Sequence, residues 1–228
     1  MWKGYLLPAT EIESAMNMQE PLFPLLRIAR HRLGIDGQGV TTLVAGASCP
    51  LRCKWCINQD ILKRNAAEMI SAQELYERVR GDDLYFRATG GGITFGGGES
   101  LLHAEFIRRF RELIPAEWKV SAETSLAVPE GQLLTVLCAV DLFIVDCKDM
   151  NEETYRRYTG GEFSLMESNL RLLLRTAGPE RLFVRVPRIP EYNTEEDQGR
   201  SADKLRKMGV TNLELFEYVI REKNGPVR

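Results

Sequence analysis

The sequence predicts an α/β fold: a parallel sheet covered by helices, arranged as a partial (β/α)6 TIM-like barrel or as an open doubly wound sheet. Three observations predict it. About six apolar or β-branched runs read as strands, and each is separated from the next by helical sequence. The strand runs are nearly continuous in apolar residues, as expected for strands buried on both faces. Six units fall short of the eight that close a barrel. In either arrangement function gathers at the carboxyl ends of the strands.

The elements follow in order. Residues 1–33 read as an N-terminal extension, broken by Pro8, Pro21 and Pro24, in which "FPLLRIARHRL" has the pattern of one short helix. Residues 34–228 form the main domain. "GVTTLVAGA" is a β-branched run bounded by glycines, a strand at about 40–45. "ISAQELYERVRG" is a helix with a capping box, Ser71 with Glu74, a staple of Ile70 on Leu75, and Gly81 as its stop. "ITF" is a short strand between two glycine runs. "SLLHAEFIRRFRELI" is amphipathic, with Leu102, Phe106, Phe110 and Leu113 on one face. "WKVSAET" is a strand, and Pro129 can start the helix "PEGQLLTVLCAV". "DLFIVDCK" is a strand with an apolar middle. "SLMESNLRLLLRTAG" is a helix for which Ser164 and Glu167 offer a second capping box. "RLFVRVP" is a strand, "TEEDQGRSADKLRKMG" a helix and "NLELFEYV" the last strand.

Composition excludes several classes. The chain has 228 residues, 44% of them hydrophobic, so it can bury a sizeable core without disulfide staples. A net charge of −2 gives no electrostatic case for nucleic acid or an anionic membrane. No apolar run approaches the ~20 residues of a membrane span. The first residues lack a basic segment followed by an apolar one, so a cytoplasmic chain with reduced thiols is expected.

Clustered thiols in such a chain point to metal binding or reactivity. "SCPLRCKWCINQ" places Cys49, Cys53 and Cys56 in a Cys-x3-Cys-x2-Cys spacing. Structural zinc wants a fourth ligand. His31 and His103 are the only histidines, and His103 reads as an ordinary, partly exposed helix residue. Cys138 and Cys147 read as buried small hydrophobes. A redox pair, Cys53 with Cys56, leaves Cys49 unexplained. A 4Fe–4S cluster held by three thiolates keeps one iron open, and an open iron can bind a small molecule.

The cysteine stretch resembles the signature of the radical S-adenosylmethionine (SAM) enzymes. A second motif makes the likeness specific. "TGGGITFGGGES" carries two glycine runs around a strand, and Gly97, Gly98 and Glu99 resemble the Gly-Gly-Glu that in this superfamily receives the SAM ammonium. Trp55 resembles its aromatic beside the cluster and the adenine. The run Gly90 to Gly92 resembles one subgroup, the activases of glycyl radical enzymes. So do Asp36, Gly37 and Gly39 of "IDGQGVTT", Asp146 and Lys148 of "DCK", and Arg185 of "RVPRIPEYN". The likeness runs from about Gly34 to Glu217, and with it the partial barrel is the expected fold and residues 34–228 the catalytic domain.

The resemblance implies a 4Fe–4S cluster on Cys49, Cys53 and Cys56, with SAM contacted by Trp55, Gly97, Gly98, Glu99, Asp146, Lys148 and Arg185. Lys148 is implied to act in catalysis. It also implies a sodium or potassium ion beside the SAM carboxylate, held by Glu123, Thr124, Asp146 and the carbonyl of Ile144. The family has Asp where this chain has Glu123. Two neighbouring carboxylates need a cation between them, and Lys148 is the alternative to a metal ion. The implied substrate is a glycine of a glycyl radical enzyme, or another protein or peptide. The implied reductant is flavodoxin or ferredoxin, in an anaerobic setting, acting on a monomer. Departures weaken the substrate assignment: Thr41 stands where the subgroup has arginine, Glu191 where it has glycine, and "LFEYVI", with Glu217, Tyr218 and Val219, where it often has histidine. No cysteine occurs between Cys56 and Cys138, so an extra cluster module is absent there. Two other readings stay open: a radical SAM enzyme acting on a small molecule or modified peptide, such as the deazaguanine-precursor branch, and a non-catalytic iron–sulfur or zinc protein.

Overall fold

A computed structural model describes residues 20–63 and 67–218. Its core is one eight-stranded sheet. The strands are β1 (Phe23–Leu33), β2 (Val40–Gly46), β3 (Glu68–Ile70), β4 (Gly92–Gly97), β5 (Lys119–Thr124), β6 (Leu142–Asp146), β7 (Leu182–Arg188) and β8 (Leu213–Glu217). The helices are α1 (Gln59–Lys63), α2 (Ala72–Val79), α3 (Asp83–Thr89), α4 (Ala104–Leu113), α5 (Glu130–Val136), α6 (Glu152–Thr159), α7 (Phe163–Thr176) and α8 (Glu195–Met208).

The spatial order is β3-β1-β2-β4-β5-β6-β7-β8. From β2 to β8 every neighbouring pair is parallel. Chain order is kept throughout that run. A doubly wound sheet reverses direction at a switch point; this one does not, so of the two expected arrangements the partial barrel is the one formed. No hydrogen-bonded pairing joins β2 to β8, so the barrel is not closed.

The segment expected as a helix in an N-terminal extension is a strand of the sheet. β1 pairs antiparallel with β2 on one side and with β3 on the other. Phe23 explains the attachment. It is fully buried, with its ring 5.0 Å from Phe106, 5.1 Å from His103 and 5.7 Å from Phe95. Burying a phenylalanine contributes about 1.5–3 kcal/mol, and Phe23 sits against Gly46 so closely that a Cβ there would lie 2.5 Å from the ring.

Other elements keep their expected places. The Ser71–Glu74 capping box of α2 is present. Gly81 does not end that helix: a 3-10 turn, Arg80–Asp82, leads into α3, which stops at Gly90 in the left-handed region. The Ser164–Glu167 box does not form, because α7 begins one residue earlier, at Phe163, and Ser164 lies inside it. The box that does form there is on α8, between Thr194 and Asp197. Three helices were not expected, α1, α3 and α6. Cys147 is buried as expected, whereas Cys138 is exposed. No helix among the described residues is long and apolar enough to cross a membrane.

Candidate functional site

The cysteines, Gly97 to Glu99, Glu123, Thr124, Asp146 and Lys148 lie at or just beyond the carboxyl ends of the parallel strands, whereas Asp36, Gly37 and Gly39 precede β2 and Gly90 to Gly92 lead into β4, at the opposite end. β2 runs directly into the cysteine loop, and β4 into Gly98 and Glu99. The two segments are stitched together: Gly98 N–H donates to Gly46 O at 2.9 Å, and Glu99 N–H to Ser48 O at 2.8 Å. Asn58 donates from Nδ2 to Gly97 O at 2.7 Å. This approach is why glycine is needed at 98, where a Cβ would lie 2.2 Å from Ser48 O. Gly97 adds a φ of +91°, a conformation that L side chains rarely adopt.

The far side of the cysteine loop is held by later parts of the chain. Arg52 N–H donates to Thr159 O at 2.8 Å and Lys54 N–H to Tyr158 O at 3.2 Å, so the end of α6 grips both amides flanking Cys53. Trp55 Nε1 donates to Pro190 O at 3.3 Å. The Tyr218 hydroxyl donates to Trp55 O. Cys49, Cys53 and Cys56 are all half-buried on this loop. Burial pushes the Cys49 thiol up and the Cys53 thiol up to about 11, against the pull of Lys148 on the latter. Thiols so placed hold their protons unless a metal takes the proton's place. Among the described residues no three His, Cys, Asp or Glu side chains converge on one metal ion. Three thiols on one loop, each able to take a separate iron, are the donor set a cluster would use.

Glu99 is placed differently from the direct ammonium contact expected of it. It is 2% exposed. Its Oε1 accepts from Thr124 Oγ1 at 2.7 Å and Leu101 N–H at 3.2 Å; its Oε2 accepts from Ser125 N–H at 2.8 Å and Ser125 Oγ at 2.6 Å. Burial pushes the carboxyl up despite these donors. The side chain ties the glycine loop to the end of β5 and starts the 3-10 turn Ser100–His103. Ser125, a partner in this contact, carried no sequence signal.

The two carboxylates at the ends of β5 and β6 meet across Arg185, with Lys148 on the outer side of Asp146. Arg185 donates from Nη2 to Glu123 Oε1 at 2.9 Å and from Nε to Asp146 Oδ1 at 2.7 Å. Lys148 Nζ approaches the other Asp146 oxygen at 3.1 Å. The Thr124 hydroxyl turns to Glu99 and is not aimed at the pair. In this arrangement a guanidinium stands between Glu123 and Asp146, where the resemblance implies a sodium or potassium ion. Burial pushes Glu123 up against the pull of Arg185. Burial also opposes ionisation of Asp146, but Lys148 and Arg185 outweigh it and hold its carboxyl below the usual range.

The departures from the subgroup have visible consequences. Glu191 has φ +70°, the left-handed region where a glycine would be unstrained. Thr41 is 3% exposed and its hydroxyl has no hydrogen-bond partner among the described residues. Asp36 is buried and paired with Arg32. His103 is half-buried, its Nε2 3.4 Å from Ala47 O. Val219 lies outside the described residues.

A partial parallel barrel with a three-cysteine loop after its first parallel strand and a glycine run after the second defines one class of enzyme. The sequence profile of the radical SAM superfamily matches residues 43–199. The chain belongs to that superfamily, and the cofactors of its chemistry are a 4Fe–4S cluster and SAM. It is 28% identical to the pyruvate formate-lyase 2-activating enzyme of Escherichia coli (strain K12), over 85% of this chain and 76% of that protein. It is 26% identical to the (2S)-3-sulfopropanediol dehydratase activating enzyme of Klebsiella oxytoca, over 93% of this chain and 81% of that one. Two solved structures share the fold: SuiB of Streptococcus suis (TM-score 0.61, 9% identity, 82% of this chain) and anSMEcpe with bound AdoMet and a Cp18Cys peptide (TM-score 0.57, 18% identity, 79% of this chain). The chain spans 41% and 51% of those two structures.

Proposed function

We propose that the protein is a glycyl-radical-enzyme activase, whose substrate is a backbone glycine of a partner enzyme. One observation carries this reading. Its likeness to activating enzymes runs through 85% and 93% of the chain, so it takes in the site and the sheet together. We assign Cys49, Cys53 and Cys56 as the cluster ligands. When bound, the cluster supplies the electron that cleaves SAM to methionine and a 5′-deoxyadenosyl radical, the hydrogen-abstracting species. The chain's own residues bind, orient and exclude water. The glycine loop offers backbone carbonyls to the SAM ammonium, and Glu99 positions that loop from behind. Arg185 and Lys148 are the cations available to the SAM carboxylate, with Asp146 holding both. Trp55, fixed between Pro190 and Tyr218, flanks the last two cysteines. We assign the catalytic domain to the sheet and its helices, with a flavodoxin or ferredoxin as reductant and a cytoplasmic monomer as the working form.

The test is anaerobic reconstitution followed by reductant and SAM. Release of 5′-deoxyadenosine is expected, and a glycyl-radical doublet in the electron paramagnetic resonance spectrum when a glycyl radical enzyme is added. Cys49→Ala, Cys53→Ala and Cys56→Ala should each lose the cluster, whereas Cys138→Ala should keep it. Zinc in place of iron and sulfide would sink the reading. A second reading, a small molecule or modified peptide as substrate, is favoured by Glu191, which stands where the activases carry glycine and adjoins Pro190, whose carbonyl holds Trp55. Deoxyadenosine release without any glycyl radical would support it.

A further inference from the structure

Two buried phenols stand on one helix with nothing to bond. Tyr155 and Tyr158 are each 1% exposed, and neither hydroxyl has a hydrogen-bond partner among the described residues. Leaving a hydroxyl dry and unpaired costs free energy, so such positions call for a partner. Spaced i and i+3, the two side chains share one face of α6. The end of that same helix carries the carbonyls of Tyr158 and Thr159, which hold the amides of Lys54 and Arg52 on either side of Cys53. The neighbouring phenol, Tyr218, gives its own proton to Trp55 O. Burial raises both phenols above their ordinary value, so both keep their protons and stay donors. The third unpartnered hydroxyl, Thr41, lies near the start of β2, at the opposite end of that strand from the cysteines.

We propose that Tyr155 and Tyr158 are the hydrogen-bond donors to the sulfur atoms of the iron–sulfur cluster at Cys53, and that they set its reduction potential. The proposal rests on the cluster assignment made above. Hydrogen bonds to cluster sulfur stabilise the more negative, reduced state and raise the potential. They also give the two hydroxyls the partner that the protein alone does not supply. Both residues are positioning residues: they act through the cluster and touch no reacting carbon.

The test compares the reconstituted parent with Tyr155→Phe and Tyr158→Phe by a redox titration followed by electron paramagnetic resonance. Each variant should show a midpoint displaced to more negative potential. Loss of one donor is expected to lower the reduced-to-oxidised ratio at fixed potential by about tenfold, which is about 59 mV for a one-electron couple. The metal-free variants should be at least as stable as the metal-free parent, because the hydroxyl removed was unpaired. A merely structural tyrosine would give the opposite result. Should a phenylalanine variant fail to take up iron, 3-fluorotyrosine placed at position 158 decides the matter. It keeps the shape, donates more strongly and should move the midpoint to more positive potential. An unshifted midpoint in variants that hold the parent's iron and sulfide would overturn the proposal and leave the cluster assignment standing. A parent protein that assembles no cluster would overturn both.

Discussion

Phe23→Ala tests whether β1 is part of the working sheet or a dispensable extension. The side chain is fully exchanged from water to a pocket lined by Phe95, Phe106, His103 and the backbone of Gly46. Truncating a phenylalanine in a packed core costs about 3–5 kcal/mol, and the cost depends on how far the pocket can collapse. Collapse is limited here, because Gly46 belongs to β2 and is held in register with both β1 and β4. In a chain of this size each kcal/mol lowers the melting temperature by about 2–4 °C, so a fall of about 6–20 °C is expected. The assay is thermal unfolding of the metal-free protein by circular dichroism, with urea denaturation as a check on the slope. The same cavity lies under the start of the cysteine loop, where Ala47 N–H donates to Pro24 O at 2.8 Å. Iron uptake on reconstitution should therefore fall together with stability. A melting temperature within about 2 °C of the parent, less than 1 kcal/mol in this size range, would refute the placement of β1 in the core.

Three further outcomes are expected. Glu99→Ala should destabilise the metal-free protein by about 2–4 kcal/mol, since orphaned buried donors cost about 1–3 kcal/mol each; unchanged stability with weakened SAM binding would restore a direct contact with the ammonium. SAM cleavage should be equal in sodium, potassium and a bulky organic cation at fixed ionic strength, because Arg185 fills the gap between Glu123 and Asp146; a rate that depends on the salt would bring back the metal ion. Glu191→Gly should hold or raise stability by up to about 1 kcal/mol while Glu191→Val lowers it, as a φ of +70° requires; equal stabilities by urea denaturation would remove the strain argument.

The six parallel strands were legible because each is a compact apolar or β-branched run with a turn signal on either side. β1 was not. Its register with β2 shifts twice, between Leu25 and Arg27 and between Ala29 and Arg32, and these bulges break the period of two by which a strand is read. Its leucines and arginines then fall into a helical spacing. α6 was hidden by its charge, although Asn151 at its start and Gly160 in the left-handed region at its end are ordinary helix signals. Within the site, the three thiols and the glycine run could be read directly, since each motif is contiguous. The partner of Arg185 could not: Glu123 is 62 residues away, and its bond is a matter of strand register. Glu99 was read by its motif as a ligand contact, and only the fold brings Thr124 and Ser125 onto its carboxylate.

The cysteine loop is anchored by residues far downstream of it. Its tethers come from Tyr158 and Thr159, from Pro190, which is 135 residues beyond Trp55, and from Tyr218, which is 163 beyond. A ribosome delivers these in order, and N-terminal units generally fold first. Here the thiols emerge early but cannot be held in place until nearly the whole described chain has followed. The loop that would hold iron is complete only in the finished fold.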